Sequence, residues 1–140
     1  MAITSKKFEI HELVPKTLFN NVHEEALWRM VPEQLIDNVD RLKDTFNEGT
    51  MTINNYYWGG DREWSGLRTK ESPWYSEHSM HTVFGATDSV WSSYSAEEVR
   101  KYILANQHKF PGIRRIEGNV SWLHQDIKET GMGEIYVFRQ

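Results

Sequence analysis

The chain of 140 residues contains no cysteine. A disulfide framework and a thiolate metal centre are both excluded, so any metal must be held by histidine and carboxylate. No apolar run is long enough to span a membrane, and the opening Met1-Ala2-Ile3-Thr4-Ser5-Lys6-Lys7 lacks the apolar stretch of a signal peptide. The expectation is a protein without membrane insertion that stays in a host cytoplasm unless another protein releases it or a particle carries it out. Positive charge is in deficit: 16 Lys and Arg stand against 20 Asp and Glu, a net charge of −4. That balance argues against a nucleic-acid partner bound through its phosphates. No repeat or low-complexity segment is present. Hydrophobic residues make up 39% and charged residues 26%, an ordinary globular balance that predicts one domain over residues 1–140 with one core. Aromatics are plentiful, with six each of Trp, Tyr and Phe. They suit both a compact core and a groove for an extended ligand.

Residues 1–30 read as an N-terminal arm packing on the body through Phe8, Ile10, Leu13 and Val14, with a short helix over 24–30 ending before Pro32. The spacing predicts a helix over 32–47. Pro32 suits its first position, Glu33 its positive end, and Leu35, Val39, Leu42 and Phe46 form one apolar stripe closed by Gly49. Residues 51–54 alternate as a strand. The run Tyr56-Tyr57-Trp58-Gly59-Gly60-Asp61-Arg62 is a loop, either a functional wall or a set of aromatic plugs. Residues 72–78 form a polar rim around Pro73. Strands are expected at 86–92, 113–116 and 135–138. Ser95-Ala96-Glu97-Glu98 is a capping box opening a helix to about 107. The fold class is α+β: a central antiparallel sheet, helices on one face and a cleft on the other.

The chemistry concentrates in two stretches. In Ser79-Met80-His81-Thr82-Val83-Phe84-Gly85-Ala86-Thr87-Asp88, a His and an Asp stand seven residues apart. In Trp122-Leu123-His124-Gln125-Asp126-Ile127, alternation puts Trp122, His124 and Asp126 on one face and Leu123, Gln125 and Ile127 on the other. Two polar groups beside a Trp are not a core pattern; they suit the floor of a polar cleft. Two histidines and one carboxylate leave a fourth position open, as a hydrolytic zinc requires. Arg68, in Gly66-Leu67-Arg68, offers a planar fork to a carboxylate or carbonyl, or else pairs at the surface with Glu63 or Glu71. His78 reads as a surface neighbour of the motif.

These stretches resemble the metal-binding motifs of the M15 family of zinc peptidases, the D-Ala-D-Ala carboxypeptidases and endolysin peptidases. The first motif is matched by Ser79, His81, Ala86 and Asp88. The family's glycine would fall on Phe84, and the chain has Gly85 one place later. The second motif is matched by Trp122, His124 and Asp126, and an upstream element by Gly66-Leu67-Arg68. The match covers roughly residues 30–140 and looks most like short, phage-encoded members. The resemblance implies a hedgehog/DD-peptidase-like fold, zinc held by His81, Asp88 and His124, and substrate contacts from Arg68 and Ser79. It also implies hydrolysis of peptidoglycan stem peptides or cross-links by a monomer. Family members often carry an acid three positions before the last His; here that residue is Ser121. The catalytic base therefore falls to Glu117 or Asp126, with Asp126 alternatively orienting a ligand imidazole. The competing expectation is an inactive M15-like module of a phage particle that keeps the metal or the fold without turnover.

Overall fold

The computed structural model describes residues 2–139. The helices are α1 (Lys16–Asn21), α2 (Glu24–Met30), α3 (Glu33–Thr45) and α4 (Ala96–Ala105). The strands are β1 (Met51–Thr52), β2 (Ala86–Trp91), β3 (Arg115–Glu117), β4 (Leu123–Asp126) and β5 (Tyr136–Phe138). They form one sheet in the order β1-β2-β4-β3-β5. The architecture is α+β, as expected, but the sheet is mixed rather than antiparallel. Strand β5 runs parallel to β3, with Arg115 opposite Tyr136 and Glu117 opposite Phe138. The reason lies in β4: β2 pairs along one edge and β3 along the other. A C-terminal hairpin with β4 has no edge to use, so the last strand crosses to the outer edge of β3.

The alternation read at 122–127 decides which face meets the helices. Leu123 and Gln125 point to the core side. Gln125 is fully buried there, accepting from Asn38 Nδ2 of α3 at 2.9 Å and donating to Thr87 Oγ1 of β2 at 2.9 Å. Both polar ends of the Gln125 amide thus find partners in a low-dielectric core. Around this pair, Leu35, Val39 and Leu42 of α3 and Val99 and Ile103 of α4 close on Ile116 and Leu123 in one hydrophobic cluster. Each fully buried aliphatic side chain contributes roughly 1.5–3 kcal/mol. With this face covered by helices, His124 and Asp126 are left to the other.

The N-terminal arm does pack on the body: Phe8, Ile10, Leu13 and Val14 are buried. It is not simply extended, since it turns at Ile10–Glu12 and forms α1. The strand expected over 51–54 stops at Thr52. Asn54 pairs with the arm instead, its N–H donating to Glu12 O at 3.1 Å and its Nδ2 to Val14 O at 3.2 Å. Tyr57 and Trp58 remain exposed, with Tyr57 stacked on His11 at 4.0 Å between ring centroids. Among the described residues, no helix is long and apolar enough to cross a membrane.

Helix α4 begins with the capping box read from sequence: Ser95 Oγ accepts from Glu98 N at 3.1 Å, and Glu98 Oε1 accepts from Ser95 N at 3.1 Å. Ser95→Ala is expected to cost about 1 kcal/mol in denaturant unfolding and to leave metal affinity unchanged. An equal loss of metal affinity would mean that the cap is coupled to the candidate metal-binding residues.

Candidate metal centre

Strands β2 and β4 set the geometry. Asp88 and His124 are direct cross-strand partners, so their side chains leave the sheet on the same face. His124 Nδ1 lies 2.9 Å from Asp88 Oδ1. His81 arrives from a 3-10 turn, Met80–Val83, capped by Ser79, whose Oγ accepts from His81 N at 3.2 Å. Its Nε2 lies 3.2 Å from the same Asp88 oxygen. The turn ends at Phe84 with φ of +58°. This is the position where the resembled motif has glycine, the residue that a left-handed backbone favours. Such a conformation costs a non-glycine residue about 1–2 kcal/mol; here burial of the Phe84 side chain offsets it.

The three side chains are buried, and their donor atoms all lie within 4.8 Å of one another. Each ring is fixed by its other nitrogen. His81 Nδ1 is 2.7 Å from the Gly66 carbonyl, which can only accept, so Nδ1 carries a proton and Nε2 is the nitrogen that faces the site. His124 Nε2 donates to Asp126 Oδ2 at 2.9 Å, which leaves Nδ1 to face Asp88. Arg68 Nη2 donates to Asp88 Oδ2 at 3.0 Å, leaving Oδ1 toward the histidines. Two imidazole nitrogens and one carboxylate oxygen, each oriented from behind, can hold a metal ion.

Charges at the site are strongly coupled. Burial would raise the Asp88 carboxyl, but hydrogen bonds from His124 and His81 outweigh it and hold the group well below the usual carboxylate range. Burial likewise opposes a charge on His124; hydrogen bonds to Asp126 and then Asp88 outweigh it and push its pKa up to about 9. Burial lowers Arg68, while the charges of Asp88 and Glu117 support it.

The segment 65–68 braces all of this. Ser65 O accepts from Asp88 N at 2.7 Å, Arg68 N donates to His81 O at 3.0 Å, and Leu67 N donates to Leu13 O at 2.9 Å. Glycine is required at its centre: a Cβ on Gly66 would stand 2.1 Å from the Leu13 carbonyl oxygen. Since backbone must move to admit it, Gly66→Ala is expected to destabilise by about 1–3 kcal/mol and to weaken metal binding about tenfold or more by displacing the carbonyl behind His81. A thermal melt and a metal titration check both, and unchanged values would show that the arm yields freely.

The centre opens on a cleft of about 910 Å³, large enough for several residues of an extended ligand. Arg68, His81, Asp88, Arg115, Glu117 and His124 line its floor, and Trp64, Trp74 and Trp122 its sides. Glu117, at the end of β3, is 7% exposed, and no side-chain hydrogen bond engages its carboxylate among the described residues. Asp126 differs. It is fully buried, and both its oxygens accept from Arg115 while Oδ2 also accepts from His124. Ser79 serves locally as the turn's cap and reaches the cleft wall. His78 is exposed at the cleft mouth. Of the aromatic loop, Asp61 and Arg62 line the cleft, whereas Tyr57 and Trp58 pack beside His11. Sequence reasoning missed Arg115 and the Gly66 carbonyl. Arg115 alternates with Glu117 along β3, a signal that was present, but its register opposite Asp126 was not.

No family model matches the chain, and no curated protein or solved structure matches it.

Proposed function

We propose that the chain is a zinc-dependent peptidase of the M15 type that hydrolyses peptide bonds in bacterial peptidoglycan, acting as a phage-encoded wall lysin. The observation that carries this reading is the convergence of His81, Asp88 and His124, the ligand residues of two motifs widely separated in sequence, on one buried point at the floor of a cleft. The donor set, two imidazoles that would give up a proton on binding and a carboxylate, suits zinc, and an incomplete protein shell suits catalysis better than a closed structural site. When bound, zinc supplies Lewis acidity, making water a better nucleophile near neutral pH and polarising an amide carbonyl.

The remaining work belongs to the chain's own residues. Glu117 takes the proton from the attacking water and returns it to the leaving amine; among the described residues, no ring or guanidinium is hydrogen-bonded to its carboxylate. Asp126 orients His124, since its oxygens are already engaged by Arg115 and the imidazole. Arg68 fixes Asp88 with Nη2 and Trp64 O with Nε, the latter at 2.7 Å, and Nη1 is left for a substrate carbonyl or carboxylate. The tryptophan walls suit the apolar faces of an extended peptide.

The test is incubation of zinc-loaded protein with purified peptidoglycan, with released amino groups counted and products read by mass. New amino termini within stem peptides or cross-links are the expected result. A protein that holds zinc and releases none would be the inactive binding module instead.

A further inference from the structure

Behind His124 stands a chain of contacts that brings in two residues outside both motifs, Arg115 and Phe138. Arg115 of β3 is the cross-strand partner of Asp126. Its Nε donates to Asp126 Oδ1 at 3.0 Å and Oδ2 at 3.2 Å, and its Nη2 to Oδ2 at 2.8 Å. The guanidinium carbon lies 4.1 Å from the centroid of the Phe138 ring. That ring in turn stands edge-on against His124, 5.5 Å between centroids at 88°. Asp126 Oδ2 then accepts from His124 Nε2 at 2.9 Å.

We infer that Arg115 is a positioning residue for the metal: it locks the Asp126 carboxylate so that His124 must keep its proton on Nε2 and offer Nδ1 beside Asp88. The inference rests on the metal-site part of the proposed function. With the imidazole on Oδ2 and only the Lys128 N–H on Oδ1, at 3.1 Å, this carboxylate would keep freedom to rotate about its last torsion. A planar fork that bonds both oxygens removes that freedom, which a lysine's point charge cannot do. Phe138 keeps the fork flat, so the last strand of the chain is tied to the orientation of a metal-binding histidine. His81 has its own separate support, the Gly66 carbonyl, and therefore serves as an internal control.

The experiment compares wild type with Arg115→Lys, Arg115→Ala and Asp126→Asn in two measurements. The first is zinc affinity by competition with a chromophoric chelator. Arg115→Ala and Asp126→Asn are expected to weaken zinc about 10–100-fold, the size of such supporting contacts, with Arg115→Lys in between. The second is 1H–15N NMR of the metal-free protein. The His124 Nε2–H signal should lose its hydrogen-bonded shift and exchange faster in the Arg115 variants, while the His81 Nδ1–H signal stays in place. Equal disturbance of both imidazoles would overturn the inference in favour of a general structural role. So would unchanged zinc affinity together with an unchanged His124 signal. If Arg115→Ala does not fold, the lysine variant decides by the same two readings. A wild type that binds no zinc defeats the metal reading, and the NMR comparison still decides the role of Arg115.

Discussion

Zinc added to the metal-free protein is expected to raise its melting temperature by on the order of 10 °C, and His81→Ala or His124→Ala to abolish that rise. A ligand that binds only the folded state stabilises it by RT ln(1 + [L]/Kd), about 4 kcal/mol at a thousandfold excess over Kd. A domain of this size shifts by a few degrees for each kcal/mol. The centre exists only when β2, β4 and the Met80–Val83 turn are assembled, so binding and folding are linked. Each substitution removes one of three donors and also leaves Asp88, buried and charged, with one imidazole fewer. The variants should therefore melt below wild type even without metal, and circular dichroism must first show that they fold. The decisive quantity is the zinc-induced increment. A wild-type protein dialysed against zinc that retains none, and melts at the same temperature, would remove the metal centre.

Glu117→Gln is expected to keep fold and zinc and to lose at least ~100-fold in turnover on wall peptide, the usual size of a general acid–base contribution. The substitution preserves shape and removes only the capacity to accept a proton. Glu117 is well suited to test because, among the described residues, no hydrogen bond of its carboxylate holds the framework, in contrast to Asp126. Its charge supports Arg68, so a modest change in substrate affinity should accompany the loss in rate. Asp126→Asn separates the two carboxylates: it should weaken zinc, and activity should partly return with added metal. An active wild type with an unimpaired Glu117→Gln would take Glu117 out of the mechanism.

The local patterns were legible because each is written within a few residues. The stripe Leu35, Val39 and Leu42 makes α3 amphipathic whatever it packs against, and Ser95 with Glu98 starts α4 by satisfying its own end. The alternation at 123–126 separates Leu123 and Gln125 from His124 and Asp126 before any partner strand is known. The His, Asp and His that the structure brings together could be named for the same reason: their types and spacings carry the chemistry. What could not be read was every relation that depends on register or on which edge is free. The parallel placement of β5 follows from β4 having both edges filled. Arg115 opposite Asp126 follows from the pairing of β3 with β4. The need for glycine at 66 follows from the approach of Leu13, and the left-handed turn at Phe84 is stabilised by burial that only the assembled core provides. Sequence by itself thus determined the helices from α2 to α4, the faces of β4 and the candidate ligands, since those rest on periodicity and side-chain chemistry; α1 and the end of β1 at Thr52 it did not. Tertiary structure alone decided how the candidate ligands are braced from elsewhere, because Gly66, which accepts from His81, Arg68, which donates to Asp88, and Arg115, which donates to Asp126, lie on segments whose positions no local pattern specifies.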